Sequence, residues 1–228
     1  MDLPRIDETR ETVAERAAII EADVPVKLER LRDGEQVLEV GDIERFGEFH
    51  HYQGDYPGYK GTCGICSCET VLRIFGRHVT ESQLVQHAIA HRLCKRSRTP
   101  GEAGGTRSSD RVRILGDFGI DAHTEKAGSL EDLAEKIEHG HGVIIEVNAY
   151  TLWDKPGRPQ DYRSIDHAVA VIGYRRNAAT GEILGVYIND SGRPDGAGRF
   201  VSAATLNDCW LSYGGTLDVT DSPYTARH

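Results

Sequence analysis

Three of the chain's five cysteines fall within six positions, Cys63, Cys66 and Cys68 in the stretch GYKGTCGICSCETVLRIFG at residues 58–76. Five is odd, so at least one sulfur has no partner within the chain, and in a reducing compartment all five are thiols unless a metal holds them. Three chemistries compete for the cluster. Zinc is possible on paper, because the C-x2-C-x-C spacing is followed by His87, His91 and Cys94. Within one helix, however, Cys66 lies about 200° around from Cys68. Cys68 instead shares a stripe with Ile65, Leu72 and Phe75, where a thiol behaves as a small apolar core residue. The third chemistry is nucleophilic. Cys63 stands where a Gly-rich loop enters a helix, and the free N–H groups and dipole of a first turn stabilise a thiolate. Gly64 beside it would let a substrate carbonyl approach the backbone amides that stabilise an oxyanion.

A nucleophilic thiol needs an imidazole, and the imidazole needs a group to orient it. Ten histidines offer many choices, and strand geometry narrows them. The runs HAVAVIGY and LGVYIND flank RRNAATGEI, whose Asn, Thr and Gly predict a hairpin. The midpoint of His167 and Asp190, 178.5, falls inside that loop. Residues symmetric about such a turn point to one face with Cβ atoms about 5 Å apart, so Asp190 is placed to hold His167. A register slip of one would give Asn189 that task, and Asp190 in NDSG also reads as a plain turn residue. The 14-residue segment WDKPGRPQDYRSID, residues 153–166, is too long for a simple turn and reads as a loop at the site. Trp153 at its start is expected either to line a substrate cleft or to serve as a core or hinge aromatic.

These residues need a scaffold. Residues 63–75 read as a helix ended by Gly76, TESQLVQHAIAHRL as a second helix capped by Thr80, SSDRVRILGDFG as a third, and SLEDLAEKIEHG as a fourth starting at Ser129 and stopping at Gly140. TPGEAGGTRSS between the second and third is loop by composition. Then GVIIEVNAY, HAVAVIGY, LGVYIND, GRFVSA and GTLDVTD read as strands separated by turns. Helices followed by a mostly antiparallel sheet make an α+β domain over 46–228. Residues 1–45 have no cysteine, histidine or aromatic residue. They read as a helical extension or pro-segment, with Val13, Ala17 and Ile20 on one stripe, Pro25 as an interruption and Gly34 closing a second short helix. QVLEV at 36–40 reads as a short strand.

Composition removes several function classes. With 39% hydrophobic and 28% charged residues, 228 residues can bury a core without staples. A net charge of -9 argues against a nucleic-acid partner, and the basic run HRLCKRSRTP reads as a solvated helix end. No apolar stretch reaches the roughly 18 residues of a membrane span. MDLPRIDETRETVAER lacks the pattern of a secretory signal, so cytoplasmic synthesis is expected, with export by a signal-independent route left open.

The segments TCGICSCETVLRIFG, DHAVAVIGY and VYINDSG together resemble the papain-like cysteine peptidases, in particular the branch that removes bacteriocin leaders after a double glycine. The likeness runs over roughly residues 50 to 220. It implies a papain-like fold, a peptide or protein substrate, no cofactor and no metal. Carried onto this chain it makes Cys63 the nucleophile, His167 the base and acid, and Asp190 the orienting residue. The C-G-x-C form of the papain pattern would instead move the nucleophile to Cys66. Relatives carry a glutamine before the cysteine as an oxyanion donor, which implies Gln53, although it stands ten residues upstream, farther than usual. Leader peptidases are usually fused to a transporter. This chain is more similar to freestanding or effector-associated relatives, which implies a partner in a larger toxin or secretion system. Deamidation or another acyl transfer uses the same three residues, and a zinc-stabilised binding module is a third reading.

Overall fold

The structure is a computed structural model that describes residues 22–154 and 164–224. Its centre is an antiparallel sheet of eight strands: β1 (Val26–Arg30), β2 (Gln36–Val40), β3 (Ala122–Lys126), β4 (Val143–Val147), β5 (His167–Asn177), β6 (Ile183–Asn189), β7 (Arg199–Ser202) and β8 (Thr216–Thr220). The order is β1-β2-β5-β4-β8-β3, and β6 and β7 continue from the other edge of β5. Strand β5 is the hub. Its first half pairs with β4 from Val147↔His167 to Val143↔Val171, and its second half pairs with β2. Such a strand is covered on both faces, which explains why HAVAVIGY is nearly continuously apolar and buried rather than alternating.

Helices close both faces. One core lies between the sheet and α2 (Cys63–Ile74), α3 (Glu81–His91) and α4 (Ser108–Asp117), and joins Ile65, Cys68, Leu72, Leu84, Ile114 and Ile144. The second lies under α5 (Leu130–Glu138) and α7 (Ala203–Cys209), where Leu133, Ile137, Leu206 and Trp210 meet Ile145, Val169 and Leu217. Two short helices, α1 (Ile43–Gly47) and α6 (Ala149–Leu152), finish loops. Local signals set the starts. Thr80 and Ser129 each form a capping box, with Gln83 and Asp132 respectively. Asn148 accepts from the Thr151 amide and so converts the end of GVIIEVNAY into α6 rather than more strand. Ser202 does the same for α7, which the sequence pattern did not suggest.

The N-terminal part departs from expectation. Residues 26–40 form a β-hairpin, with Leu28↔Leu38 in register, not a helix closed by Gly34. The reason is the Asp33-Gly34 dipeptide: Gly34 has φ 91°, and Asp-Gly between two runs of alternating apolar and polar residues is a hairpin turn. Because β2 pairs with β5, residues 26–40 are part of the main sheet. The expected helical stripe at Val13, Ala17 and Ile20 lies outside the described residues, as do positions 155–163 of the loop. Strand β3 is a further departure: AHTEK is a half-exposed edge that pairs, among the described residues, with β8 and has little apolar character.

Arg111 ties the two layers together. Fully buried on α4, it donates from Nε to Asp218 of β8 (2.6 Å) and from Nη2 to Glu146 of β4 (2.7 Å). Removing the guanidinium strands a fully buried carboxylate, for which losses of about 3–5 kcal/mol are typical. Arg111→Met is therefore expected to lower unfolding stability by that amount in a urea titration, whereas Arg113→Met, exposed on the same helix, should change it by less than about 0.5 kcal/mol.

Candidate active site

Helix α2 carries more than an apolar stripe. Residues 64–72 are all buried, including the polar Ser67, Glu69 and Thr70. Ser67 is satisfied by donating to the carbonyls of Cys63 and Ala168, which fastens the helix to β5. Cys63 is the first helical residue, and Thr62 before it makes no side-chain cap; its hydroxyl donates to Glu81 instead. The first-turn amides are therefore left to act on whatever sits at the helix start. That start opens on a cleft of about 580 Å³ whose lining includes Cys63, Gln53, Trp153, His167 and Ala168.

His167 is the first residue of β5 and faces Cys63 across the cleft. Burial pushes the Cys63 thiol up, but His167, the Ala168 amide and the more distant Arg111 guanidinium pull it down further, so the net shift is below the ordinary cysteine value. For His167 burial works against the charged ring, and Asp190 and Cys63 more than reverse it, leaving the imidazole well above its ordinary value. The two shifts run in opposite directions, the sense that favours passing the thiol proton to the imidazole.

Asp190 is wholly buried and held by donors on several sides. Oδ1 lies 2.7 Å from His167 Nε2 and accepts from the Gly192 amide at 3.1 Å. Oδ2 accepts from Trp153 Nε1 at 2.7 Å and from Arg199 Nη1 at 3.3 Å. This geometry is reached by a route the hairpin symmetry did not foresee. The observed register, Ala170↔Asn189, places Asp190 two residues beyond the expected pairing. A displacement of two keeps the side chain on the same face, so the contact survives. Asn189 points elsewhere: Nδ2 donates to the Phe46 carbonyl and Oδ1 accepts from the Gly198 amide.

Trp153 lines the cleft and its ring centroid is 5.0 Å from that of His167, so one residue shields the His–Asp pair and walls the cleft. Gly192 permits this: a Cβ there would lie 2.6 Å from the indole and 3.0 Å from His167 Cε1. Gly64 serves a different purpose from the expected one. The space its Cβ would need is taken by Thr106 Oγ1 at 2.1 Å and Arg111 Cδ at 3.0 Å, so it admits neighbouring side chains rather than a substrate carbonyl. Gln53 lies in the cleft wall, with its amide donating to the Lys60 carbonyl (2.7 Å) and its Oε1 accepting from Ser191 (3.2 Å).

The remaining cysteines are not part of the cleft lining. Cys66 is buried, and burial with the Glu81 and Glu69 carboxylates pushes its thiol well up. Burial also raises Cys68, and raises Cys209 to about 12. The zinc set conceivable on paper does not assemble: Cys68 faces the Arg111 carbonyl, while His87 stacks on His91 and binds Asp117. Arg111, Arg199 and Gly192 were missed in the sequence. A signal existed for Arg111, a cation on the same apolar face as Ile114 and Leu115, whereas Arg199 and Gly192 have no local pattern.

The profile described as the Peptidase_C39 like family matches residues 45–217. Uncharacterized proteins of Mycobacterium tuberculosis and Mycobacterium bovis are 28% identical over 133 residues, 53% of this chain and 55% of theirs. The matched chain thus spans about half the length of these curated relatives. Among solved structures, a putative C39-like peptidase from Bacillus anthracis is similar with a TM-score of 0.58 and 16% identity, covering 82% of this chain and 98% of that one. This shows the shared fold. A double glycine motif protease from an AMS/PCAT transporter, solved with the leader peptide, is similar with a TM-score of 0.47 and 16% identity, covering 75% of this chain and 89% of that one.

An ordinary thiol with pKa near 8.5 is under about 1% thiolate at pH 6. With limiting iodoacetamide at about that pH, peptide mapping is expected to find Cys63 alkylated at least about tenfold faster than the other four cysteines, and His167→Ala to remove the difference. Uniform slow labelling would contradict the electrostatics of the cleft.

Proposed function

The chain belongs to the C39-like family of cysteine peptidases, and we propose that Cys63 is its nucleophile, His167 its general base and acid, and Asp190 the residue that orients the imidazole. The observation that carries this reading is the 2.7 Å contact between His167 Nε2 and the buried Asp190, on a ring whose other edge faces the helix-start thiol. With Nε2 committed to the carboxylate, Nδ1 remains to exchange a proton with sulfur and then with the leaving amine. The Cys63 thiolate forms an S–C bond to the scissile carbonyl, and the oxyanion is met by the first-turn amides of α2, with Gln53 as a candidate side-chain donor. The C–N bond breaks as His167 gives its proton to the amine. Water, losing a proton to His167, then attacks the thioester and releases the acid and the thiolate. The position of Gln53 in the cleft wall supports its assignment, and removing a donor of this kind lowers turnover by about 100- to 1,000-fold.

The substrate is a peptide or protein. No helix among the described residues is long and apolar enough to cross a membrane. A role within a toxin or secretion system rests on the sequence resemblance alone.

Cys63→Ser is expected to abolish cleavage of a degenerate peptide library, and His167→Ala to lower kcat/KM by about 100- to 10,000-fold. Product analysis must show new amino termini; ammonia released without chain cleavage would replace the peptidase reading with deamidation.

The pH profile follows from the two opposed shifts. Activity should rise as pH passes the lowered thiol value, because the thiolate forms there. It should fall as pH passes the raised imidazole value, because the ring then loses the proton it must donate. Asp190→Asn removes an influence that raises His167, so the alkaline limb is expected to move toward neutrality. An unmoved limb would show that Asp190 does not act through the ring.

A further inference from the structure

One turn along α2 from Cys63 and outside the cleft lining, Cys66 and Glu69 themselves stand one turn apart, and the loop 50–62 brings His51 over them. One ligating atom each of His51, Cys66 and Glu69 lies within 4.8 Å of the others. The set His51, Asp55 and Glu81 meets the same limit, so two candidate ligand sets share one histidine. The surroundings are not those of an ordinary surface cluster. Glu69, Glu81 and Cys66 are buried, and only the His51 side chain, at 25% exposure, and the more exposed Asp55 reach solvent.

The two buried glutamates differ in how they are satisfied. Glu81 is saturated: its oxygens accept from the amides of Gly54 and Asp55 at 2.8 Å and from the Thr62 hydroxyl, and His51 Nε2 lies 3.0 Å away. Glu81 thus holds the loop to α3. Glu69 is the opposite case. Its carboxylate is fully buried and is met by fewer donors, the Glu81 amide and the Arg73 guanidinium. Its counter-charge is Arg73 one turn along the helix, with Nη2 at 2.8 Å from Oε1. A buried carboxylate with lone pairs left over is costly, and a cation bound to them would offset that cost.

We propose that His51, Cys66 and Glu69 form a zinc site, with Glu81 fixing the histidine ring. Imidazole, thiolate and carboxylate are the donors zinc accepts in a four-coordinate site, and the sulfur disfavours calcium and magnesium. The charge balances: one thiolate and one carboxylate match the two positive charges of the metal, and the Cys66 proton is released on binding. A carboxylate behind the histidine is the usual outer partner of such a ligand. The fourth position falls to water. Bound there, the metal would staple the loop carrying Gln53 to the second turn of α2, three residues from Cys63. The site is separate from the cleft, and the proposal does not depend on the catalytic assignment.

The test uses the full chain carrying Cys63→Ser, so that the cleft thiol cannot bind metal, after chelator treatment. Titration with Co²⁺ is expected to give a thiolate-to-cobalt charge-transfer band that saturates at one equivalent and is displaced by Zn²⁺. Adding Cys66→Ser should abolish the band, Glu69→Gln or His51→Ala should weaken affinity by about 10- to 100-fold, and Cys68→Ser should change nothing. Absence of the band, or its persistence with Cys66→Ser, overturns the proposal. His51→Ala lies on the half-exposed loop, so it keeps the test decisive if the helix variants fail to fold.

Discussion

The structure depends on a helix that is dry along most of its length and open at one end. Residues 64–72 of α2 are packed between the sheet and two other helices, while its first residue meets the cleft. This placement gives a thiol the stabilisation of free helix amides without exposing the rest of the helix to water. It also restricts what the neighbours can be. Thr106 and Arg111 occupy the space above Gly64, and Ser67 ties the helix to the β5 carbonyl of Ala168. A shift of the helix would break these contacts together, so they fix the position of the Cys63 thiol.

The second constraint is Asp190. A buried carboxylate is tolerated only when its lone pairs are taken, and here an amide, an indole, a guanidinium and an imidazole take them. The four donors come from different parts of the chain, so the orientation of His167 is set by the meeting of β5, β7, the α6 end and the turn after β6. The Arg111 network plays a comparable part behind Cys63, adding positive potential while joining α4 to β4 and β8. The electrostatics of the cleft and the stability of the fold share the same buried ions.

Periodicity made much of the scaffold legible. The helices at 63–74, 81–91, 108–117 and 130–138 and the strands from 143 onward follow from apolar spacing and caps. The failures have physical causes. An Asp-Gly hairpin at 33–34 was read as a helix end because Gly serves both purposes. AHTEK forms a strand only because β8 lies beside it. Asn148 and Ser202 turned expected strand ends into helix starts by capping them.

The sequence by itself determined the chemistry on offer: a cysteine at a helix start, a histidine opening an apolar strand, and an acidic residue closing the next. Those are local facts, carried by residue type and spacing over a few turns. Tertiary structure alone decided which atoms meet. It selected Asp190 over Asn189 through a register two residues away from the symmetric one, and turned Trp153 onto the carboxylate. It also brought His51 and Glu81, from a loop and another helix, to Cys66 and Glu69. Register, burial and the partners of a buried charge depend on elements far apart in the chain. No window of sequence contains them.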